Sequence, residues 1–175
     1  EGRRTVISDT YYAALRNPKV TLVPHAVKGL TRTGAVDANG DEHELDIIVL
    51  ATGFDAANYL GNYRVYGRNG VEIHDEWAGE PQALLGMMVP NFPNFFIMYG
   101  PNTNSVPLVT FYEAQAAFAA GLIKKAARTG RRLIEVRRSA FLLYNEWIQD
   151  TLAKTVWAKV DSYFHAGSGR IGSQW

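Results

Sequence analysis

The sequence predicts an α/β fold built around a buried parallel sheet, with small β-hairpins and with helices towards the C-terminal end. Two stretches carry the sheet prediction: DIIVLATGF at Asp46–Phe54 and FFIMYG at Phe95–Gly100. Their apolar residues run continuously instead of alternating, which suits strands that are covered on both faces. The helix prediction rests on apolar residues that recur at helical spacing between positions 107 and 156.

Composition and charge narrow the class of protein. The chain has 175 residues, 47% of them apolar, which is enough to bury the core of one domain or slightly more. Its net charge is +1 and its basic residues are dispersed, so neither nucleic acid nor a membrane surface is expected as a partner. The dense basic stretch, Arg131–Arg132 with Arg137–Arg138, is interpreted as a solvated surface.

The residue types that are missing exclude some chemistry. Cysteine is absent, which excludes disulfides and a cysteine nucleophile and favours a reducing compartment, the cytoplasm. His25, His43, His74 and His165 lack metal-ligand spacing, so no metal site is predicted. No apolar run approaches the roughly 20 residues that span a bilayer. The chain starts without methionine and stops after a glycine-rich loop, and we expect it to be a piece of a longer protein.

The N-terminal third is expected to form a short helix, a short strand and a hairpin. Asn17-Pro18 should end the helix, because the residue before a proline avoids the helical conformation. Asn39-Gly40 favours a tight turn with positive φ. The predicted elements are a helix at Ile7–Arg16, a strand at Val20–Val23, and hairpin segments at Ala26–Leu30, Gly34–Val36 and Glu42–Leu45.

Turn signals divide the middle of the chain, and two long helices are predicted after it. Asn69-Gly70 separates Tyr63–Tyr66 from Val71–His74 and predicts a second hairpin. The first long helix should begin near Pro107–Thr110 and the second at Ser139 as N-cap, with Leu133–Val136 as an edge strand between them. Their apolar faces are predicted to be Phe111, Ala114, Phe118, Leu122 and Ile123 in the first helix, and Phe141, Tyr144, Trp147, Ile148, Leu152, Thr155 and Val156 in the second.

The end of the first predicted parallel strand is one candidate site. Ligands of parallel sheets lie beyond the carboxyl ends of the strands, and Ala51-Thr52-Gly53 offers almost no side chain there. A cofactor could therefore approach the backbone closely. A tight exit from a core strand explains the same three residues, and these residues alone leave both interpretations open.

The turn at Met98–Ser105, MYGPNTNS, is the second candidate site. Glycine and proline after a strand aim the next helix N-terminus beyond the sheet, where unpaired N–H groups and the helix dipole favour negative charge. An ordinary connection from strand to helix is the alternative interpretation. The GSGRIG string at Gly167–Gly172 lacks the following helix that a dinucleotide fingerprint needs, so no nucleotide is predicted there.

Together these stretches resemble a known family. DIIVLATGF, Trp77, VPNFPNFFIMYGPNTN and VWAKVDSYFHAGSGRIGSQW occur in an order and spacing similar to the C-terminal half of class B flavoprotein monooxygenases, above all the Baeyer–Villiger type. The resemblance implies a Rossmann-like fold with two dinucleotide-binding domains, one for FAD and one for NADPH. Residues 1–53 would end the NADP-binding domain and include its return strand. Residues 54–175 would form the C-terminal part of the FAD-binding domain with the terminal helices.

The resemblance also implies which residues approach the cofactors. One group would lie beside both cofactors, and the other would form the turn near the flavin ring, where N–H groups would face the anionic pyrimidine edge of the reduced flavin. The implied residues are Asp46, Ala51, Thr52, Gly53 and Phe54 in the first group, and Gly100, Pro101, Asn102, Thr103, Asn104, Ser105 and Thr110 in the second.

The implied activity of the full-length protein is that of a monooxygenase. In the family, NADPH reduces FAD, O2 is captured as a C4a-peroxyflavin, and one oxygen atom enters a ketone or passes to a heteroatom of a small organic substrate. The family's glycine fingerprints and active-site arginine lie upstream of this chain, so no catalytic residue is assigned and the chain alone is expected to be inactive. The alternatives are another FAD/NAD(P)-dependent oxidoreductase, such as an N-hydroxylase, and a non-catalytic binding or interaction domain.

Overall fold

The structure is a computed structural model that describes residues 7–53, 55, 58–104, 107–160, 165 and 168–174. It divides into two compact units. The N-terminal unit lies within residues 5–54, and the C-terminal unit is built mainly from residues 55–175. Two residues of the candidate sites, Phe54 and Ser105, lie outside the described residues.

The N-terminal unit contains one short helix and an antiparallel sheet. Helix α1 is Tyr11–Leu15, which is shorter than predicted. The sheet has the order β1-β2-β3, which confirms the predicted hairpin segments. The predicted strand at Val20–Val23 is wrong, since these residues have no strand conformation. The strands are Val27–Leu30 (β1), Gly34–Asp37 (β2) and Glu42–Glu44 (β3).

The turn between β2 and β3 is organised by one buried carboxylate. Gly40 has a φ of 93°, as the Asn-Gly pair predicts. The Oδ1 atom of Asp37 accepts hydrogen bonds from the backbone N–H groups of Asn39 at 2.9 Å and Asp41 at 3.1 Å. Its Oδ2 atom lies 3.2 Å from Nε2 of His43. The hydrogen bond with His43 holds the pKa of Asp37 below its usual value, despite the opposing effect of burial.

Residues 46–53 do not form the predicted buried strand, so that prediction is wrong. They have no regular secondary structure, and the side chains of Ile47, Val49 and Leu50 are 80%, 83% and 77% exposed. Continuous apolar residues show that a segment can be buried, but a strand forms only where a neighbouring strand supplies hydrogen-bond partners. No strand among the described residues pairs with this segment.

The C-terminal unit is mainly helical. Its helices are α2 at Ile73–Trp77, α3 at Leu108–Arg128 and α4 at Arg138–Leu152, and short 3₁₀ turns lie at Arg68–Gly70 and Val156–Lys159. Both long helices are confirmed, but α4 ends at Leu152, so Thr155 and Val156 of its predicted apolar face lie beyond it, at the start of a 3₁₀ turn. The N-cap of α4 is Arg137 and not Ser139, because the carbonyl of Arg137 already accepts the N–H of Phe141 at 3.0 Å. None of the described helices is long and apolar enough to cross a bilayer.

The second predicted hairpin is reduced to a single bridge. The turn is correct, since Asn69 and Gly70 have φ values of 58° and 74°. Only Tyr66 and Glu72 pair across it, however, and the chain then enters α2. Ile73 and Trp77 are both buried, and their spacing of four residues places them on one helical face. Packing of that face therefore favours a helix where the sequence predicted a strand.

Irregular backbone, rather than a sheet, supports much of the core of the C-terminal unit. The predicted strands at Phe95–Gly100 and Leu133–Val136 are both wrong. Instead of pairing as strands, the two segments are joined by hydrogen bonds of Asn94. Its backbone N–H donates to the carbonyl of Ile134, and its side-chain Oδ1 accepts the N–H of Ile134, each at 2.9 Å. Three apolar clusters form the core, namely Ile73, Trp77, Ala83, Val89, Phe92 and Ile97; Met87, Met88, Val136 and Phe141; and Ile148, Leu152 and Ile171.

The buried faces of the two long helices differ in how well the sequence predicts them. In α4, Phe141, Ile148 and Leu152 are buried as expected, whereas Trp147 is half exposed. In α3 the predicted apolar face is only partly correct, since Leu122 packs against the Met87 cluster and Phe111 is half buried. Phe118 and Ile123 are 40% and 52% exposed, and the side that packs inward carries Gln115. The inward side of α3 therefore combines the apolar contacts of Ala119 and Leu122 with the polar contacts of Gln115.

Candidate functional site

The Gly100–Asn104 turn is one of the most deeply buried parts of the C-terminal unit. Asn102 and Thr103 are only 2% and 1% exposed. The backbone N–H of Gly100 donates to the carbonyl of Gly86 at 3.2 Å, and the hydroxyl of Thr103 donates to the carbonyl of Gly100 at 2.7 Å. The turn is thus closed on itself and tied to the segment around Gly86.

Two glycines allow this close approach. A β-carbon on Gly86 would collide with the γ-methyl group of Thr103, and one on Gly100 would collide with the backbone carbonyl of Gly86. Gly86 also has a φ of 66°, which side chains rarely adopt. Gly86 was not predicted as a site residue; its signal in the sequence is an isolated glycine between apolar residues, which can mark a close backbone approach.

The C-terminal segment Arg170–Gln174, here called the strap, pairs with the turn. The backbone N–H groups of Asn102 and Asn104 donate to the carbonyls of Gly172 and Ser173, both at 2.9 Å. The side-chain Nδ2 of Asn102 donates to the carbonyls of Ile171 at 2.8 Å and Gln174 at 2.7 Å. Part of the GSGRIG string therefore serves as a backbone partner of the turn, a role that the sequence analysis missed.

Helix α4 holds the strap from the other side. The side-chain amide of Gln149 donates to the carbonyl of Ile171 at 3.0 Å and accepts its N–H at 3.2 Å. The guanidinium of Arg170 donates to Oδ1 of Asn145 at 2.9 Å. Burial lowers the pKa of Arg170, which shows how far its charge is removed from water.

Polar atoms without protein partners remain in this region. Oδ1 of Asn102, Oγ of Ser173 and Nε of Arg170 are buried and make no hydrogen bond in the described part of the chain. Buried polar groups are normally paired, so each of these atoms can accept or donate a hydrogen bond to a further group. The polar character of the region is compatible with a polar ligand beside the turn.

The N-terminus of α3 follows the turn. The helix begins at Leu108 after Pro107, and its first turn contains no acidic residue. Within the described residues no side chain caps its first N–H groups, and the dipole at this end favours a negative charge. Thr110 lies in the first turn of α3 and is exposed.

The first group of candidate residues lies in the other unit and has a different environment. Asp46, Ala51, Thr52 and Gly53 are exposed and outside any helix or strand. Gly53 has a φ of 88°, and a β-carbon placed on it would meet no atom within 4 Å. The backbone at Gly53 is therefore open to a neighbouring group.

A further polar cluster surrounds His74 in α2. Its Nδ1 lies 2.8 Å from the carboxylate of Glu72 and its Nε2 lies 3.1 Å from the carbonyl of Tyr59. The hydrogen bond with Glu72 raises the pKa of His74 and lowers that of Glu72. An open cleft of about 250 Å³ lies beside His74 and Trp77. Within the described residues, no group of three or more histidine and carboxylate side chains could hold a metal ion.

The comparisons with known proteins match nearly the whole chain. An FAD-binding monooxygenase of Aspergillus niger is 38% identical over 99% of this chain and 30% of its own length. A Baeyer–Villiger monooxygenase of Pseudomonas aeruginosa is 34% identical over 99% of this chain and 34% of its own length. The crystal structure of cyclohexanone monooxygenase from Rhodococcus sp. Phi1 bound to NADP⁺ superimposes with a TM-score of 0.84 and 32% identity, covering 99% of this chain and 33% of that one. No protein-family model matches the chain.

These matches relate the chain, over nearly its whole length, to flavoprotein monooxygenases. More specifically, it corresponds to a C-terminal portion of relatives named Baeyer–Villiger or FAD-binding monooxygenases. The chain spans about a third of the length of the curated relatives it matches.

Proposed function

We propose that this chain forms the C-terminal portion of an FAD- and NADPH-dependent monooxygenase that inserts one oxygen atom from O2 into a ketone or transfers it to a heteroatom of a small organic substrate. The observation that carries the proposal is the buried Gly100–Asn104 turn, which precedes the N-terminus of α3. The full-length protein would have the two-dinucleotide-domain fold, with residues 1–53 in the NADP-binding domain and residues 54–175 in the FAD-binding domain.

The residues at the turn fit a flavin. The first turn of α3 contains no acidic residue, and no described side chain caps it, so its N–H groups suit an electron-rich ring edge. The buried Oδ1 of Asn102 is an acceptor without a protein partner and could receive a ring N–H. We assign FAD binding to Gly100, Pro101, Asn102, Thr103 and Asn104, with Ser105 and Thr110 at the entrance to the helix.

The segment 46–54 is assigned to the close approach of both cofactors, NADPH and FAD. The support is the open space beside the α-carbon of Gly53, which leaves room for a large group to approach the backbone. Asp46, Ala51, Thr52 and Phe54 complete this assignment. The small residues at positions 51–53 would let a cofactor come close to the backbone, and Asp46 would face polar groups of that cofactor.

The work of these residues is binding, orientation and electrostatics. FAD would supply the redox chemistry and the activation of O2, and the protein would fix its position. The strap and α4 shield the turn from water, which strengthens the field of the helix N-terminus at the ring. Holding both reaction partners in one geometry is one way in which such a site accelerates a reaction.

The test uses a full-length protein that carries this chain. We expect it to purify yellow with one FAD per chain and to consume O2 with NADPH when a ketone is added. Chain 1–175 alone should be colourless and should not oxidise NADPH. A Gly53→Val variant of the full-length protein should retain FAD but reduce it more slowly with NADPH. A full-length protein without flavin, or one whose NADPH oxidation never yields an oxygenated product, would overturn the proposal.

A further inference from the structure

The buried side of α3 contains an unexpected residue. Of the described residues in this 21-residue helix, only Gln115 is buried, with 4% of its surface exposed. Burial of an amide is unfavourable unless its hydrogen bonds are satisfied, and satisfied buried amides commonly hold one backbone arrangement in place. The partners of Gln115 therefore indicate what the residue does.

Both halves of the Gln115 amide bind backbone. Its Oε1 accepts the N–H of Tyr99 at 2.8 Å, and its Nε2 donates to the carbonyl of Leu85 at 3.1 Å. Tyr99 immediately precedes the Gly100–Asn104 turn. Leu85 immediately precedes Gly86, whose carbonyl accepts the N–H of Gly100 at 3.2 Å. One side chain thus holds the two backbone segments that meet at the start of the turn.

The two residues that Gln115 holds are both in a rarely populated conformation. Leu85 has a φ of 54° and Tyr99 a φ of 56°, although both carry a side chain. Such a conformation persists only where surrounding interactions enforce it, and it concentrates at functional sites. The amide of Gln115 supplies one enforcing hydrogen bond to each residue.

Tyr99 also contacts the last residue of the turn, Asn104. Its hydroxyl donates to Oδ1 of Asn104 at 2.7 Å. Its ring packs edge-on against Phe111 and Tyr112 in the first turns of α3, with centroids 6.1 and 5.8 Å away. A shift of the Tyr99 backbone would therefore move both ends of the turn relative to the helix N-terminus.

We propose that Gln115 is a positioning residue that sets the orientation of the Gly100–Asn104 turn relative to the N-terminus of α3, and through it the affinity for the flavin. This inference rests on the proposed function of the turn. Gln115 itself would not touch the cofactor, because its two amide atoms are used by Tyr99 and Leu85.

The test compares three substitutions in the full-length protein. Gln115→Met keeps the length of the side chain but removes both hydrogen bonds. Gln115→Glu keeps the acceptor for Tyr99 N–H, and it donates to the carbonyl of Leu85 only when the carboxyl is protonated. Lys124→Met, an exposed change in the same helix, controls for the effect of methionine on helix formation.

We expect Gln115→Met to raise the dissociation constant of FAD about tenfold, equivalent to about 1.4 kcal/mol, as measured by titrating the apoprotein. The amide of Tyr99 should exchange its hydrogen faster in this variant. Lys124→Met should match the parent in both measurements. For Gln115→Glu, the dissociation constant of FAD divided by the parental value should decrease as the pH is lowered from 8 to 5.5. Burial raises the pKa of the introduced carboxyl, and its protonation restores the donor to the carbonyl of Leu85.

The outcomes separate the inference from the proposed function. A parental FAD affinity in Gln115→Met would overturn the positioning role. So would equal affinity losses in Gln115→Glu and Gln115→Met at every pH, since these would reflect a general loss of packing. If the amide hydrogen of Tyr99 exchanged at the parental rate in Gln115→Met, the hydrogen bonds of Gln115 would not hold the Tyr99 backbone, whether or not FAD binds. A parent protein that bound no FAD would instead overturn the function proposed for the turn.

Discussion

The Gly100–Asn104 turn and the Ala51–Gly53 segment look alike in sequence but differ in structure. Each follows an apolar run and consists of small residues. Asn102 and Thr103 are almost fully buried, and the turn is hydrogen-bonded to Gly86, to the strap and to its own carbonyl. Ala51–Gly53 is exposed and outside regular structure. The difference teaches that a small-residue turn becomes a rigid site only where the same unit supplies its backbone partners.

The largest expected effect is on stability, and it differs between Gly86, which contacts the turn, and Gly53. Gly86→Ala should destabilise the C-terminal unit by about 3 kcal/mol, because it combines a collision with Thr103 and an unfavourable φ. Gly53→Ala meets no neighbouring atom, so only the backbone cost of about 1 kcal/mol remains. Urea titrations followed by two-dimensional NMR report each unit separately. Equal destabilisation by the two variants would remove the distinction between the regions.

Hydrogen exchange should sharpen the comparison at the backbone. The amides of Asn102 and Asn104 donate to carbonyls of the strap, whereas residues 47–50 have no regular structure. In chain 1–175 we expect the two asparagine amides to exchange at least about 100-fold more slowly than those of Ile47–Leu50, after correction for sequence. Similar protection factors would show that the turn opens as readily as the exposed segment.

A side-chain substitution should show the same contrast with a smaller effect. Asn102→Ala removes two hydrogen bonds to the carbonyls of Ile171 and Gln174 and should cost about 2 kcal/mol of unfolding free energy. Thr52→Ala, at an exposed position, should change stability by less than about 0.5 kcal/mol. Because all four tryptophans lie in residues 55–175, their fluorescence in urea monitors the Asn102 variant directly. A loss below 0.5 kcal/mol would mean that the side-chain hydrogen bonds from Asn102 to the strap add little to stability.

The smallest expected effects are pH responses that differ between the units. His74 has a raised pKa because of its hydrogen bond with Glu72, so its contribution is complete below about pH 6.5 and is lost as pH rises through the folded value. Asp37 has a lowered pKa because of its hydrogen bond with His43, so its contribution is present above about pH 3.9 and is lost as pH falls through the folded value.

These responses can be assigned with two variants. The free energy of unfolding of each unit is measured against pH by NMR. In His74→Gln, that of the C-terminal unit should no longer decrease from neutral to alkaline pH. In Asp37→Asn, that of the N-terminal unit should no longer decrease at acidic pH. If each variant kept the parental pH profile, other groups would be responsible for both transitions.

The sequence predicted elements whose signals are local. Asn39-Gly40 and Asn69-Gly70 were identified as turns because their backbone conformations favour those residues. Helices α3 and α4 were identified because their length and apolar spacing suffice to define a helix. The predicted strands at Phe95–Gly100 and Leu133–Val136 failed because strand formation depends on partners distant in sequence. Asn94 satisfies part of this backbone with its side chain, which no apolar pattern records.

The sequence by itself also indicated the relationship to flavoprotein monooxygenases, because the order of DIIVLATGF and GPNTN resembles theirs even where the local structure differs from expectation. Only the tertiary structure decided which residues support the turn. Gly86, Gln115 and the strap come from three separate parts of the chain, and only folding brings them together. The physical reason is that a buried backbone group requires a hydrogen-bond partner, and nothing in the local sequence specifies which distant group provides it.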